Sequence, residues 1–470
     1  MTHEVLKEEE PSLELDLRSV ESLAAAHLHD IAESREQLWH VKELARPTNG
    51  EHIRKTLQRV VAVEEFYSDG AVAVTPLQQQ NNTAEQDVFF KDERHQCVRS
   101  FKIRGAFWAS MQAFKKNPQM TGTAQATAGN AGQGGAAYAE WHNRNEPRSI
   151  TAHTFMPHSA SKVKKDALRA RDAVIHDHDP ATGERYETLH DAKAGAKRFA
   201  ESHEQDGVAA IALLDPYAHP DTIAGQGTLM LETYLQLREV GADLLGRPAR
   251  IRVGGGGLGL AIGCAEALQV LIDAGLVHHA SYVEVTQESH TDATVRAVEQ
   301  LAKHGSVNLD ALFTADHFSA SNDGTAVEVP DRKNVAVAYQ LSLDGVLVLR
   351  RAAKPSVARA MAHRPDNQDL EPAGSLGLAS HLEDASTISA YLGYQDDGYI
   401  DVVVLSGGNV AESTKNEYAA ALDDRSLSIT AMGSAVTRQR VEIAHPQEVD
   451  PEVHKIFKGQ LSEWGVELLE

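Results

Sequence analysis

The run ARIRVGGGGLGLAIGCAEALQVLIDAG, residues 249–275, decides how the rest of this chain is read. Ile251 to Val253 close an apolar stretch of strand character, Gly254 to Gly257 are four consecutive glycines, and an apolar helical stretch opens at Leu258. Strand, glycine turn and helix in that order build an anion site: glycine lets backbone N–H groups approach an oxyanion, and a helix N-terminus adds partial positive charge. A phosphate is the natural occupant. Gly254, Gly256 and Gly259 also satisfy the spacing GxGxxG, with Glu284 in the next strand where a ribose-binding acid would stand, so a dinucleotide site competes. A turn that merely packs closely is the third reading. A Walker A loop is excluded, since no Gly-Lys-Ser/Thr follows.

On either side of this run, strand-like segments alternate with helical ones. SITAHTFMP precedes SKVKKDALRARDA, GVAAIALLD precedes a helix running through Gly227 to Val240, and SYVEVT precedes a helix near Ala293 to His304. Such alternation implies βαβ units and parallel sheets covered by helices on both faces. Earlier, AVAVTPL (71–77) and DVFFKDE (87–93) read as strands, and DHDPATGERYET (177–188) as a polar connection to a helix near Asp191. Leu23, His27, Ile31 and Leu38 sit at helical spacing, and Pro47, Asn49 and Gly50 mark a boundary after that helix. In the tail, Val453, Ile456, Phe457 and Leu461 suggest one short helix.

The 470 residues carry 67 acidic against 45 basic side chains, a net charge of -22, which repels nucleic-acid phosphates and anionic lipid. Neither a nucleic acid nor a membrane is an expected partner. The two cysteines, Cys97 and Cys264, have neither disulfide-framework nor zinc-ligand spacing. With no basic-apolar leader at the N-terminus, a cytoplasmic protein is expected.

SFKIRGAFWA (100–109) places Lys102 at an apparent helix start. Lysine acts as a covalent catalyst only where its amine loses a proton readily, as in a confined site that disfavours charge. On spacing alone Lys102 reads as a surface lysine, and the surrounding motifs change that. SFKIRGA resembles the cofactor-lysine motif of the threonine and serine dehydratases, and TAGNAGQGGAAYA (127–139) resembles their substrate loop. DPYAHPDTIAGQGTLMLE (215–232), VGGGGL (253–258), EPAGS (371–375) and LSGGN (405–409) resemble further stretches of that family, in the same order.

The resemblance implies a tryptophan-synthase-β-like α/β fold, two open twisted α/β domains with pyridoxal 5'-phosphate in the cleft between them. It implies that Lys102 carries the cofactor, that Phe101 lies against the ring and that Asn130 bonds the ring hydroxyl. Gly254, Gly255, Gly256, Gly257 and Leu258 would hold the phosphate, and Ser406 would face the pyridine nitrogen. A serine hydroxyl does not hold that nitrogen protonated by charge pairing, so the ring is a weaker electron sink and prompt loss of a β-substituent is favoured. Thr127, Ala128, Gly129 and Asn130 would bind the substrate carboxylate. The implied reaction is loss of water from a small β-hydroxy amino acid such as threonine or serine, giving a 2-oxo acid and ammonia, by a homo-oligomer (dimer or tetramer). A cysteine- or threonine-synthase type of replacement enzyme and a non-catalytic cofactor-binding homologue are the alternatives.

Two departures from the family pattern stand out. Ala128 occupies the place of the serine that reprotonates the α-carbon in serine racemases, which favours elimination. Ala131 replaces the usual histidine of the substrate loop. No metal is expected: Thr286 aligns with a cation-binding acid, Glu284, Glu288 and Asp292 are only nearby, and His176 and His178 read as incidental histidines of a polar loop. Cys97 and Cys264 read as a site-adjacent and a core thiol. The expected segments are a helical extension over 1–46, a large cofactor-binding domain from 47–105 and 205–420, a small substrate-loop domain over 106–204, and a tail over 421–470.

Overall fold

The chain is described by a computed structural model over residues 14–39, 57, 60–61, 64–67, 71–80, 87–127, 129–205, 207–312, 322, 324–325, 327, 329–366, 368–383, 398–422, 441–442 and 468–469. The boundary cluster at Pro47 to Gly50, the tail helix around Val453 to Leu461, and Ala128 lie outside the described residues.

In chain order the elements used below are β1 (Glu14–Asp16), α1 (Leu17–Leu38), β2 (Leu77–Gln79), β3 (Asp87–Asp92), α2 (Lys102–Lys116), β4 (Gly122–Ala126), α3 (Asn130–Asn145), β5 (Thr151–Phe155), α4 (Lys162–Arg169) and β6 (Val174–His176). Then come α5 (Leu189–Ser202), β7 (Ile211–Leu214), α6 (Pro220–Glu239), β8 (Ala249–Gly254), α7 (Gly259–Asp273), β9 (Tyr282–Glu288), α8 (Ala293–His304) and β10 (Ser306–Asn308). The series ends with α9 (Arg332–Leu343), β11 (Leu347–Ala352), α10 (Lys354–Ala362), α11 (Pro372–Glu383), β12 (Ile400–Leu405) and α12 (Glu412–Ala421).

Two sheets organise the chain. The larger has six strands in the order β11-β9-β8-β12-β3-β2, parallel except for the antiparallel edge pair β2–β3. The smaller has four parallel strands in the order β6-β5-β4-β7. Its edge strand β7 comes from beyond residue 204, so the smaller sheet draws on more of the chain than the segment 106–204. The strand expected over 71–77 is a bend at its start, and only Leu77–Gln79 pairs with β3.

β8 is buried nearly throughout, as a central parallel strand with helices on both faces must be. Its Ile251 and Val253 enter the main apolar core, while Arg250 and Arg252, on the opposite face by strand alternation, meet Asp401 at 3.0 and 2.8 Å. Arg252 also meets Glu284 of β9 at 2.7 Å.

The N-terminal helix α1 docks on this body. Its β1 lead-in pairs with β10, and Asp16 and Ser19 form a reciprocal cap. Val20, Ala24, His27, Ile31 and Leu38 are buried, in contact with α6 and α9. Ser34 accepts from Trp108 Nε1 at 3.1 Å and donates to Asp221 at 2.7 Å.

Beneath the N-terminus of α2 lies a buried charged network. Arg104 is fully buried and binds Glu93 at 2.8 Å and Glu232 at 3.0 Å, and Lys91 binds the same Glu232. Burial alone would raise the Glu232 carboxyl, but Arg104 and Lys91 hold it down at about 2. Removing one member of such a network strands the others' charge. Glu232→Ala is therefore expected to lower unfolding stability by about 3–5 kcal/mol in denaturant titration; a loss under about 1 kcal/mol would mean that the network adds nothing.

Candidate active site

Both sheets point the carboxyl ends of their strands into one cleft, the usual ligand position in open parallel sheets. Gly254 ends β8, Ser406 follows β12 and Thr127 follows β4, and all three line it with Lys102, Asn130, Lys164 and Glu371.

Lys102 is the first residue of α2, and its loop is pinned to the Ser406 loop. Ser100 bridges Gly407, the Phe101 N–H donates to Ser406 O at 3.2 Å, and the Gly408 N–H donates to Arg99 O at 3.0 Å. Lys102 Nζ donates to Pro216 O at 3.3 Å and lies 4.9 Å from the centre of the Phe101 ring. Burial pushes this amine down to about 8, against the pull of Asp215 and Glu371. It therefore reaches its uncharged, nucleophilic form near neutrality.

The glycine run has no room for side chains. A Cβ on Gly254 would stand 2.4 Å from Ala373 O, on Gly256 2.9 Å from Thr325 Cα, and on Gly257 2.3 Å from the Tyr217 ring. Leu258 takes a left-handed conformation (φ 65°) that turns the chain into α7, with no side-chain cap on the helix. The loop carbonyls are engaged elsewhere: Gly256 O accepts from Gln287 and Thr294, and Gly257 O accepts from Asn334 Nδ2 at 2.6 Å. Gly256, Gly257, Leu258 and Gly259 line the cleft at an uncapped helix start, and N–H groups at such a start are donors suited to a phosphate.

Asn130 opens α3 and is held from two sides. Its amide donates to Glu371 Oε1 at 2.7 Å and its carbonyl accepts from Asn409 at 3.0 Å. Lys164, buried, stands 3.9 Å from the other oxygen of Glu371. Thr127 Oγ1 accepts from the Gly129 N–H at 2.9 Å. Gly129 has φ +143°, and a Cβ there would meet the Lys164 chain at 2.5 Å, so glycine is needed on both counts.

Phe101, Lys102, Thr127, Gly129, Asn130, Gly254, Gly256, Gly257, Leu258 and Ser406 thus come together. Gly255 does not line the cleft: its N–H donates to Thr286 O at 2.8 Å, completing the ladder to β9. Sequence reading did not single out Lys164, Glu371, Tyr217 or Asn334. Glu371 and Tyr217 lie inside the EPAGS and DPYAHPDT matches, which gave them no role. The dinucleotide reading loses its acid, because Glu284 is bound to Arg252 and Arg350 inside the sheet. Asp292 binds Arg351 at 2.5 Å, and Glu288 accepts from Asn322 and Tyr418 at 2.6 Å. Cys97 is exposed; Cys264 is buried, and its thiol is pushed up to about 12 by that burial.

A lysine amine that burial helps to lose its proton, lining one cleft with a glycine loop at a helix start, is an arrangement suited to pyridoxal phosphate, and residues 69–381 match the model of the pyridoxal-phosphate dependent enzyme family. The chain belongs to that family. Its cofactor is pyridoxal phosphate, and its similar curated proteins are threonine dehydratases. It is 27% identical over 360 residues to the biosynthetic L-threonine dehydratase of Lactococcus lactis, covering 74% of each chain. It is 28% identical over 339 residues to the chloroplastic threonine dehydratase 1 of Solanum lycopersicum, covering 72% of this chain and 48% of that one. The chain thus spans about half the length of the tomato relative.

Among solved structures, the processed form of tomato threonine deaminase isoform 2 superposes with a TM-score of 0.58 at 19% identity, over 75% of this chain and 89% of that one. Diaminopropionate ammonia lyase from Escherichia coli gives 0.58 at 16% identity, over 80% and 92%. The fold is the one shared by these enzymes, as the sequence motifs led us to expect.

Two outcomes are expected of the site. Since only the uncharged amine condenses with an aldehyde, the rate at which apoprotein takes up pyridoxal phosphate rises with pH through a midpoint near 8; a midpoint near the ordinary lysine value of about 10.4 would contradict the burial argument. Gly257→Ala, which drives a methyl into Tyr217, is expected to weaken cofactor binding at least about tenfold in fluorescence titration, equivalent to about 1.4 kcal/mol. Unchanged binding would show that this loop does not hold the phosphate.

Proposed function

We propose that this enzyme is an ammonia-lyase that eliminates water from a β-hydroxy amino acid such as threonine or serine, releasing a 2-oxo acid and ammonia. The observation that carries the reading is a base and an acid in one cleft: the Lys102 amine, held at about 8, and the buried Lys164–Glu371 pair. The kinship with threonine dehydratases supports the same reading, as does the fold shared with the L-serine ammonia-lyase of Rhizomucor miehei (TM-score 0.57, 18% identity).

In this reading Lys102 carries the cofactor, Asn130 meets its ring hydroxyl, Gly254, Gly256, Gly257 and Leu258 hold its phosphate, and Ser406 faces its ring nitrogen. Bound pyridoxal phosphate supplies an electron sink that acidifies the substrate's α-carbon. The N–H groups of Gly129 and Asn130, with Thr127, orient the substrate carboxylate. Once the substrate amine has taken its place, the freed Lys102 Nζ takes the α-proton, the β-carbon–oxygen bond breaks, and a proton from the Lys164–Glu371 pair turns the departing hydroxyl into water. The resulting enamine, once released, takes up water and gives the 2-oxo acid and ammonia. Ser406 carries no negative charge to keep the ring nitrogen protonated, which favours immediate loss of the β-substituent. We further propose that the enzyme is a homo-oligomer, a dimer or a tetramer.

Incubating the holoenzyme with a panel of β-hydroxy amino acids is expected to yield a 2-oxo acid from at least one of them without an added nucleophile. Lys102→Ala should abolish that yield, and Lys164→Met should cut kcat by roughly 10²–10⁴-fold while leaving cofactor content largely intact. Product only when a thiol or another nucleophile is supplied would move the enzyme to the replacement class, and no turnover of any amino acid would leave a non-catalytic homologue.

A further inference from the structure

The smaller sheet carries a second group of functional side chains. Among the described residues, His158, Asp177 and His178 place one ligand atom each within 4.8 Å of one another. His178 Nδ1 is 2.8 Å from Asp177 Oδ1, and His158 Nδ1 is 3.3 Å from Asp177 Oδ2. The two imidazole rings meet edge to face at 5.1 Å. In a tetrahedral zinc site the donors lie roughly 3.4 Å apart, because each is about 2.0–2.1 Å from the ion. The group already has this scale.

Three features separate it from an accidental cluster of histidines. First, backbone hydrogen bonds fix the ligands. The Tyr186 N–H donates to Asp177 O at 3.2 Å, the His158 N–H donates to Tyr186 O at 2.8 Å, and His178 bridges Arg185. Second, His158 Nδ1 is buried 3.3 Å from Asp177 Oδ2, with no hydrogen-bond partner among the described residues. Third, the carboxylate presents both of its oxygens to the group, Oδ1 to His178 and Oδ2 to His158. Lys165 Nζ occupies Asp177 Oδ2 at 2.9 Å and also donates to His158 O at 2.7 Å, so a cation already serves this carboxylate. His176, the other histidine of the loop, takes no part: it stacks on Phe155 at 4.3 Å and pairs with His153 at 3.0 Å.

We propose that His158, Asp177 and His178 form a binding site for a divalent first-row ion of the zinc type, with water completing its shell. Two imidazoles and one carboxylate are the donor set such an ion prefers, and three protein ligands leave a position open. Histidine ligates such an ion as a neutral imidazole, and the ion would take the place of the hydrogen bond between His178 Nδ1 and Asp177 Oδ1. The site is apart from the cleft. Helix α4 lies between them, its Lys164 lining the cleft and its neighbour Lys165 reaching Asp177. The sequence hid it because His158 lies 20 residues from His178 with no zinc-motif spacing.

The test uses untagged, full-length, cofactor-loaded protein titrated with zinc against a chromophoric chelator. One equivalent is expected to bind, and His178→Ala and Asp177→Asn are each expected to weaken it at least about tenfold, since even an outer-sphere partner is worth about 10–100-fold. His29→Ala, at an exposed surface histidine, should leave it unchanged. Should a variant fail to fold, zinc-edge anomalous diffraction from wild-type crystals decides the matter: a peak among His158, Asp177 and His178 supports the site. No saturable binding, binding that survives both substitutions, loss in His29→Ala, or a peak elsewhere would each overturn it.

Discussion

An amine that must shed its charge to react stands two residues from a guanidinium that never sheds its own, and the cleft depends on keeping the two apart. Lys102 and Arg104 share the first turn of α2. Arg104 is locked between Glu93 and Glu232, which pairs those carboxylates, and neither of them lines the cleft. Among the described residues, Asp215 and Glu371 are the opposing charges that act on Lys102, and burial outweighs them. Buried ion pairs are poor sources of net stability, and we take this one to fix the register of α2 against α6 and β3 rather than to strengthen the fold. The helix start is thereby set where the amine meets the glycine loop.

The glycine loop in turn is held by elements distant in sequence. Asn334, at the start of α9, donates to Gly257 O and Tyr217 O, and its own side-chain oxygen meets His27 of α1 at 3.2 Å. A two-residue path thus leads from the N-terminal helix to the phosphate cradle. Burial lowers the His27 imidazole, which favours its neutral form as a partner for the Asn334 amide. On this evidence α1 is part of the scaffold that shapes the loop.

The parts of this arrangement that were legible in the sequence are those in which local chemistry and local structure coincide. Four glycines between a strand and a helix, and a lysine at a helix start beside a matching motif, fix their own surroundings over a few residues. The strands around Ile251 and Val283 were legible from their alternation with helical segments, although Arg250, Arg252 and Glu284 interrupt their apolar residues. The roles of Lys164, Glu371, Tyr217 and Asn334 were not, because each acts through contacts across the chain: Asn130 meets Glu371 across 241 residues and Asn409 across 279. Polar residues of this kind have no periodicity, and only the packing of the two sheets brings them together. Glu284 is the converse case. Its position after the glycine strand suited a ribose, but Arg252 and Arg350 on neighbouring strands claim it.

The central claim is that one amine, Lys102, carries the cofactor. Borohydride reduction of the holoenzyme fixes the cofactor covalently to whichever lysine holds it, and mass spectrometry of the digested protein then locates it. The account predicts a pyridoxyl group on Lys102 alone, at close to one per chain. The same group on Lys164 or another lysine, or none on a protein that retains its colour, would contradict it.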